Sequence, residues 1–233
     1  MKFRYHCMLL LVLGTVVLSC KKDNYEPPTS TLTGRIMYKG EPIQVEYDRV
    51  PFELFQFGFG KVGPINGTIM PEGTFSHLLF DGDYKFVIRP GQGPFLWPQT
   101  GGKADTISFS VNGSTNLDVE VNPYYMVRTP QIAKAGSAIT ASFKAEKIIT
   151  DAVNGKNIER VSLYVNKTKF VSGTDNIGKT DLAGSAITDP NSINLSVNVP
   201  TIMPTQNYVF ARIGLKIAGV EDMIFSPVQR ITL

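Results

Sequence analysis

The sequence predicts an all-β protein, two β-sandwich domains in tandem, and three observations carry that prediction. Several segments alternate apolar and polar residues: Ile107, Phe109 and Val111 against Thr106, Ser108 and Ser110, and Leu117, Val119 and Val121 against Asn116, Asp118 and Glu120. In DYKFVIRP, Tyr84, Phe86 and Ile88 share a side. A period of two marks antiparallel sheet with one solvated face. The joints between such segments are the turn dipeptides Asn66-Gly67, Glu72-Gly73, Asp81-Gly82 and Asn112-Gly113, which suit positive backbone φ. Beyond the first twenty residues, no stretch of ten or more carries the i, i+3, i+4, i+7 apolar stripe of a helix.

The chain begins MKFRYHCMLLLVLGTVVLSC. Lys2 and Arg4 precede an apolar run from Met8 to Leu18, the layout of a secretory signal. The run falls short of the about 20 apolar residues that a spanning helix requires. Val17-Leu18-Ser19-Cys20 resembles a bacterial lipobox, although Val17 stands where Leu is commoner. That resemblance implies removal of residues 1–19 and a diacylglycerol thioether on Cys20. Each buried lipid CH₂ contributes about 0.8 kcal/mol, so two or more chains anchor stably. Cleavage there would leave Cys20 and His77 as the sole cysteine and histidine, with no intramolecular disulfide to form.

The full chain carries 23 Lys and Arg against 20 Asp and Glu. Removing Lys2 and Arg4 brings the two nearly level, which gives no electrostatic case for nucleic-acid binding. The roughly 210 remaining residues suit two small domains. Residues 20–31 read as the lipidated cysteine and a flexible tether, with Pro27 and Pro28 resisting helix. Residues 32–122 and 123–233 read as the two sandwiches.

In the first of these, TLTGRIMYKGEPI and GTIMPEGTFSHLLFDGDYKFVIR resemble the carboxypeptidase-regulatory-like, or prealbumin-like, sandwich. Gly34, Gly40, Pro42, Gly73, Phe75, Gly82 and Tyr84 fill that pattern's places. In the second, VPTIMPTQNYVFARIGLKIAG followed by SPVQRITL resembles the closing strands of a fibronectin type III domain. Tyr208 stands where that family has a tyrosine corner, and the apolar face resumes at Ala211, Ile213, Leu215 and Ile217, which implies either an intervening bulge or that Tyr208 is not a corner. Together with the link VNPYYMVRTP, these stretches resemble the two-domain Bacteroidetes lipoproteins catalogued as domain of unknown function 3823. The resemblance implies an accessory lipoprotein beside an outer-membrane glycan uptake system of the starch-utilisation type. It supplies no catalytic residues.

The residue inventory speaks against the common catalytic solutions. A triad needs a base beside a nucleophile, and His77, in the strand-like TFSHLLF, reads as a packed or edge residue. Acylation would remove Cys20 as a nucleophile, and a His/Cys zinc site lacks the ligands. No metal or cofactor is expected. Paired carboxylates could serve glycoside hydrolysis, but acids such as Asp118 and Glu120 fall on wet strand faces. GFGKVG lacks the spacing of a phosphate loop.

The segment RPGQGPFLWPQTGGKADT joins two strands with four glycines and three prolines around Phe95, Leu96 and Trp97. Loops of this length are functional or packed by their own side chains. Two readings stay open. In one, Trp97 and Phe95 offer flat faces to a sugar, with Gln92 and Gln99 supplying carboxamides and Tyr124 and Tyr125 nearby. In the other, Trp97 fills the groove between the domains against Tyr124 and Tyr125. In PFELFQFGF, Phe55, Phe57 and Phe59 share parity and read as core. Asp105-Thr106-Ile107 resembles a Bacteroidetes O-glycosylation acceptor.

The functional expectation is a non-enzymatic protein, lipid-anchored at the outer membrane and facing the cell surface or, failing that, the periplasm. It would bind a polysaccharide or a partner of the glycan uptake complex. A purely structural spacer is the alternative, and a carbohydrate hydrolase the third.

Overall fold

Residues 26–58 and 62–233 are described by the computed structural model. The signal segment 1–19, Cys20, the first part of the tether and Phe59 lie outside the described residues. Apart from one 3-10 turn at Gly184–Ala186, the regular elements there are β-strands.

The first domain stacks two sheets. In one, strand Ser30–Tyr38 lies between Ser114–Glu120, parallel to it, and Thr74–Leu79, antiparallel. The other runs Ile107–Val111, Gly82–Val87, Pro51–Gln56, Pro64–Thr68 in antiparallel order. The inward residues are those that alternation singles out: Tyr84, Phe86 and Ile88 are buried, as are Val111, Val119 and Val121. Phe52, Phe75 and Phe86 pack ring to ring at the centre, with centroids 4.9–5.3 Å apart.

The second domain repeats the plan with different connections. One sheet orders Tyr125–Ala135, Ala138–Lys147 and Ile193–Asn198. The other orders Gly178–Ala183, Ile158–Asn166 and Tyr208–Ile217, with Ile224–Phe225 and Gln229–Thr232 both paired to Tyr208–Ile217. Strand Tyr125–Ala135 shifts register between Arg128 and Gln131, where Thr129 has φ 46° and Pro130 cannot donate.

Four expectations change. Asn66-Gly67 is not a turn but the interior of strand Pro64–Thr68. Its glycine serves packing, since a Cβ there would sit 2.2 Å from His77 Nε2 and 2.3 Å from the Phe52 ring. PFELFQ buries Phe52 and Leu54, the opposite parity from Phe55 and Phe57, because Leu54 pairs with the inward Phe86; Phe57 is 44% exposed beyond the strand end. Strand Tyr208–Ile217 has no bulge near Tyr208, for its pairing with Gln229–Thr232 is continuous and Val209 joins the buried row. Tyr208 instead turns outward beneath the Arg230 guanidinium, 3.9 Å from its ring. The hydroxyl that reaches back to the backbone is Tyr84's, donating to the Phe80 carbonyl four residues upstream at 2.8 Å.

The two domains share one apolar core and are joined at its edge by Arg212. Its side chain is 2% exposed, on the face of Tyr208–Ile217 opposite the sandwich core. The guanidinium donates to the Ser226 carbonyl at 2.9 Å in its own domain, and to the Val45 and Pro71 carbonyls of the first domain at 2.9 and 3.1 Å. It also lies 4.2 Å from the centre of the Phe225 ring. Around it, Gln44 and Phe225 form a β-bridge between domains, Gly93 N–H donates to Asp222 Oδ2 at 2.7 Å, and Arg128 pairs with Glu41 of the first domain and Glu146 of its own. No buried side-chain nitrogen or oxygen among the described residues lacks a partner.

Burial brings the Arg212 pKa down to about 10, so the group stays protonated at neutral pH and must be held by its three carbonyls. Arg212→Leu strands the Ser226 and Val45 carbonyls, at about 1–3 kcal/mol for each buried group left unpaired, while the Pro71 carbonyl keeps the Val45 N–H. We expect denaturant unfolding of that variant to lose about 3 kcal/mol or more and to split into two transitions. A single transition at the parent midpoint would overturn this role.

Burial also lowers the pKa of His77, whose ring meets Phe52 edge-on at 5.3 Å. A base whose folded pKa lies below its unfolded value of 6.5 binds fewer protons when folded, so stability falls as pH drops below that value. His77→Gln should flatten this part of the stability profile measured between pH 7 and pH 5. An unchanged slope would show that other groups set it.

Candidate functional site: a polar groove at the domain junction

The glycine-rich segment after strand Gly82–Val87 is the natural place to begin, and the structure turns most of it inward. Gly101-Gly102, both at positive φ, close a tight hairpin between Gln99–Thr100 and Lys103–Ala104. Trp97 is 5% exposed. Its Nε1–H donates to the Asp105 carbonyl at 2.8 Å, and its ring lies 5.9 Å from that of Phe86. Phe95, Tyr124 and Tyr125 are buried as well. Phe95–Leu96 pairs with Asn122–Pro123, Tyr124 N–H donates to the Pro94 carbonyl, and Tyr125 Oη–H donates to the Lys156 carbonyl at 2.8 Å.

The segment therefore works as an inter-domain fastening that buries the Trp97, Phe95 and Tyr124 rings, while Tyr125, 5% exposed, lines a cleft of the second domain. Of the six residues singled out, Gln99 is exposed on the hairpin and Gln92 is half-buried in a groove. Thr106 is exposed directly after the hairpin.

The groove that holds Gln92 is the better site. It encloses about 520 Å³ between the domains, with Asp48, Arg49 and Asn66 from the first sandwich and Glu221 from the second. Arg49 and Glu221 also line an adjoining recess of about 290 Å³, which adds Glu46, Arg160, Lys179 and Lys216. The positioning is mechanical. Arg212 holds the backbone at Val45 just before Glu46–Arg49. Asp222, next to Glu221, is tied to Gly93, next to Gln92. Lys216 Nζ donates to the Val220 and Glu221 carbonyls, both at 2.5 Å. Burial pushes the Asp222 carboxyl above the usual range, against the pull of the Gly93 N–H.

Carboxylates, carboxamides and cations side by side around a narrow groove can exchange hydrogen bonds with a polyhydroxylated or peptide-like ligand. Among the described residues, no cluster of three or more His, Cys, Asp or Glu could hold a metal. Sequence reasoning found Gln92 and missed Asp48, Arg49, Asn66 and Glu221. These come from the Asp48–Arg49 turn, the middle of strand Pro64–Thr68 and a loop of the second domain, and Asn66 carries a misleading turn signal.

A second cleft, about 750 Å³, opens in the second domain between Lys144–Lys147 and the Gly184–Asn191 segment. Only one domain builds it, and the Arg212 anchor does not touch its walls.

Fold and groove define a tandem β-sandwich protein whose polar cleft is built by both domains. The chain belongs to the DUF3823 family. Residues 30–122 match the N-terminal domain of this protein family of unknown function, and residues 125–230 match its C-terminal domain of unknown function. It is similar to a DUF3823 family protein of Parabacteroides merdae, at 32% identity over 89% of this chain and 100% of that one, with a TM-score of 0.77. A DUF3823 family protein of Bacteroides ovatus compares at 30% identity, 88% and 99% coverage, and the same TM-score. A Bacteroides uniformis protein named "putative carbohydrate binding protein" shares the fold at 20% identity and TM-score 0.70, over 88% of this chain and all of that one. No curated protein matches the chain.

Trp97→Phe removes one buried hydrogen bond and leaves a cavity beside Phe86. We expect a loss of about 2 kcal/mol in chemical denaturation with no change in ligand binding by the folded variant. A variant that keeps its stability and loses binding would restore Trp97 as a contact residue.

Proposed function

We propose that this protein is a lipid-anchored, non-catalytic accessory protein of a glycan acquisition system at the outer membrane, and that it contacts glycan through the junction groove. The observation that carries the reading is the groove's composition: Asp48, Arg49, Asn66, Gln92 and Glu221 converge from two rigidly joined domains. A sugar chain offers alternating donors and acceptors, and such a set of carboxylates, carboxamides and a guanidinium can satisfy both. The Bacteroides uniformis relative named for carbohydrate binding supports the ligand class, and the lipobox-like Val17–Cys20 supports the anchor. His77 meets the Phe52 ring edge-on and lies close to Gly67, the setting of a packed rather than a catalytic histidine.

A structural spacer that docks on an uptake complex is the second reading. The shared core and the Arg212 lock favour it, because a rigidly joined pair of domains suits a spacer.

Affinity electrophoresis of the chain lacking residues 1–20 in gels containing single polysaccharides separates the two. Retardation on at least one glycan, weakened about tenfold or more by Arg49→Ala or Gln92→Ala, is the expected result. No retardation on any glycan would favour the spacer, and release of reducing ends would revive the hydrolase. For the anchor, Cys20→Ala should move the protein from the membrane fraction to the soluble one. Continued membrane association would sink the lipoprotein reading.

A further inference from the structure

Two aromatic rings stand in water at the domain junction, one from each sandwich. Tyr47 is 50% exposed and Phe170 is 56% exposed. Their rings meet edge to face, with centroids 5.4 Å apart and planes at 77°. Exposed aromatics on loose loops fold back against the surface. Both of these are braced in place.

Tyr47 sits between the fully buried Val45 and Val50. The Val45 carbonyl accepts from Arg212, and the Val45 N–H donates to the Pro71 carbonyl. Asp48, the next residue, turns the chain at φ 56°, a region that Asp tolerates better than most residues.

Phe170 is carried by a loop with a dense internal network. Asn166 Nδ2 donates to the Phe170 carbonyl at 2.5 Å and to the Asp175 carbonyl at 3.2 Å. Ser172 Oγ accepts from the N–H groups of Thr174 and Asp175, and Asn176 Nδ2 donates to the Ser172 and Gly173 carbonyls. Val171 and Ser172 are buried beneath the exposed Phe170. Thr174 Oγ1 donates to Glu46 Oε1 at 3.1 Å and ties the two loops together across the junction.

The neighbours of the two rings are polar. Glu46, Asp48 and Arg49 line the two recesses described above. Lys169, beside Phe170, lines a further groove of about 430 Å³ with Gln44, Glu72 and Arg230. A small, fixed apolar patch ringed by hydrogen-bonding side chains of both charges fits one chemistry best. A pyranose ring has an apolar face of C–H groups that lies against a π-cloud, whose charge is negative over the ring face, and hydroxyls that radiate outward toward polar groups. A protein partner would want an interface of about 1,000 Å² or more, far beyond two rings.

We propose that Tyr47 and Phe170 form a stacking platform for a pyranose unit of a neutral glycan chain, whose hydroxyls reach the flanking grooves. This deepens and rests on the glycan-contact reading above, and it names the sugar class and two contact residues that no sequence motif marks. Mixed charge around the rings sets no preference for an acidic or basic sugar. Preorganisation means that binding need not order either loop.

The test uses the chain lacking residues 1–20 with neutral β- and α-linked gluco-, xylo- and manno-oligosaccharides and with uronic-acid oligosaccharides, followed by calorimetry and by saturation transfer from the aromatic protons. Tyr47→Ala and Phe170→Ala should each weaken binding about tenfold or more, leave the unfolding midpoint near the parent's because both rings are exposed, and be rescued by Tyr47→Phe at position 47. Parent-like affinity in both alanine variants overturns the platform while the groove reading stands. Binding of acidic oligosaccharides alone overturns the neutral-chain assignment, and failure of the parent protein to bind any glycan overturns both readings.

Discussion

The arrangement of the whole molecule depends on one buried cation. Arg212 projects from the outer face of a strand in the second sandwich and is satisfied by carbonyls, two of them in the first. A guanidinium taken out of water is expensive unless its donors are met, and no carboxylate hydrogen-bonds to this one. Its partners are backbone atoms, which side-chain motion cannot withdraw. The requirement therefore falls on chain position: Val45 and Pro71 must stay where they are relative to Ser226. The domains are locked in consequence, and the turn that carries Glu46 to Arg49 is fixed against the second sandwich.

The same lock explains what became of the aromatic loop. Trp97 and Phe95 sit in the stretch that the chain uses to pass from the first sandwich to the second, where backbone pairing with Asn122–Pro123 draws them under the surface. An indole there gains more from Phe86 and the Asp105 carbonyl than water can offer. Tyr47 and Phe170 are held outward by loops whose polar side chains already bond one another, so the rings have no inward space to enter. Whether an aromatic residue is core or contact is decided by the backbone around it, not by its own hydrophobicity.

Legibility in the sequence follows from the same distinction. Alternation identified the inner rows at Tyr84–Ile88, Ile107–Val111 and Leu117–Val121, because period two is a local property that burial obeys. Parity failed at Phe55, where a partner strand sets which face is inward, and at Tyr208, where the outer face of the strand is covered by its own C-terminal segment and so bears aromatics of its own. Asn66-Gly67 misled because a glycine can be demanded by a neighbour's ring as well as by φ. The groove escaped notice because its residues are ordinary surface types, spread over four segments, and acquire meaning only when Arg212 brings the domains together.

The site and the family's own division of the chain therefore pull in different directions. The two family profiles meet near residues 122–125, yet Arg49 and Gln92 lie on one side of that boundary and Glu221 on the other. The Tyr47–Phe170 contact crosses it as well. Each sandwich alone would expose its share of the common core and lose the groove, since Glu221 meets Asp48, Arg49 and Gln92 only through the domain contact. If the two domains could swing freely, any ligand bridging them would have to bear the entropic cost of bringing them together. Arg212 and the bridge between Gln44 and Phe225 remove that cost during folding, so the pair of domains is the smallest unit in which the groove exists.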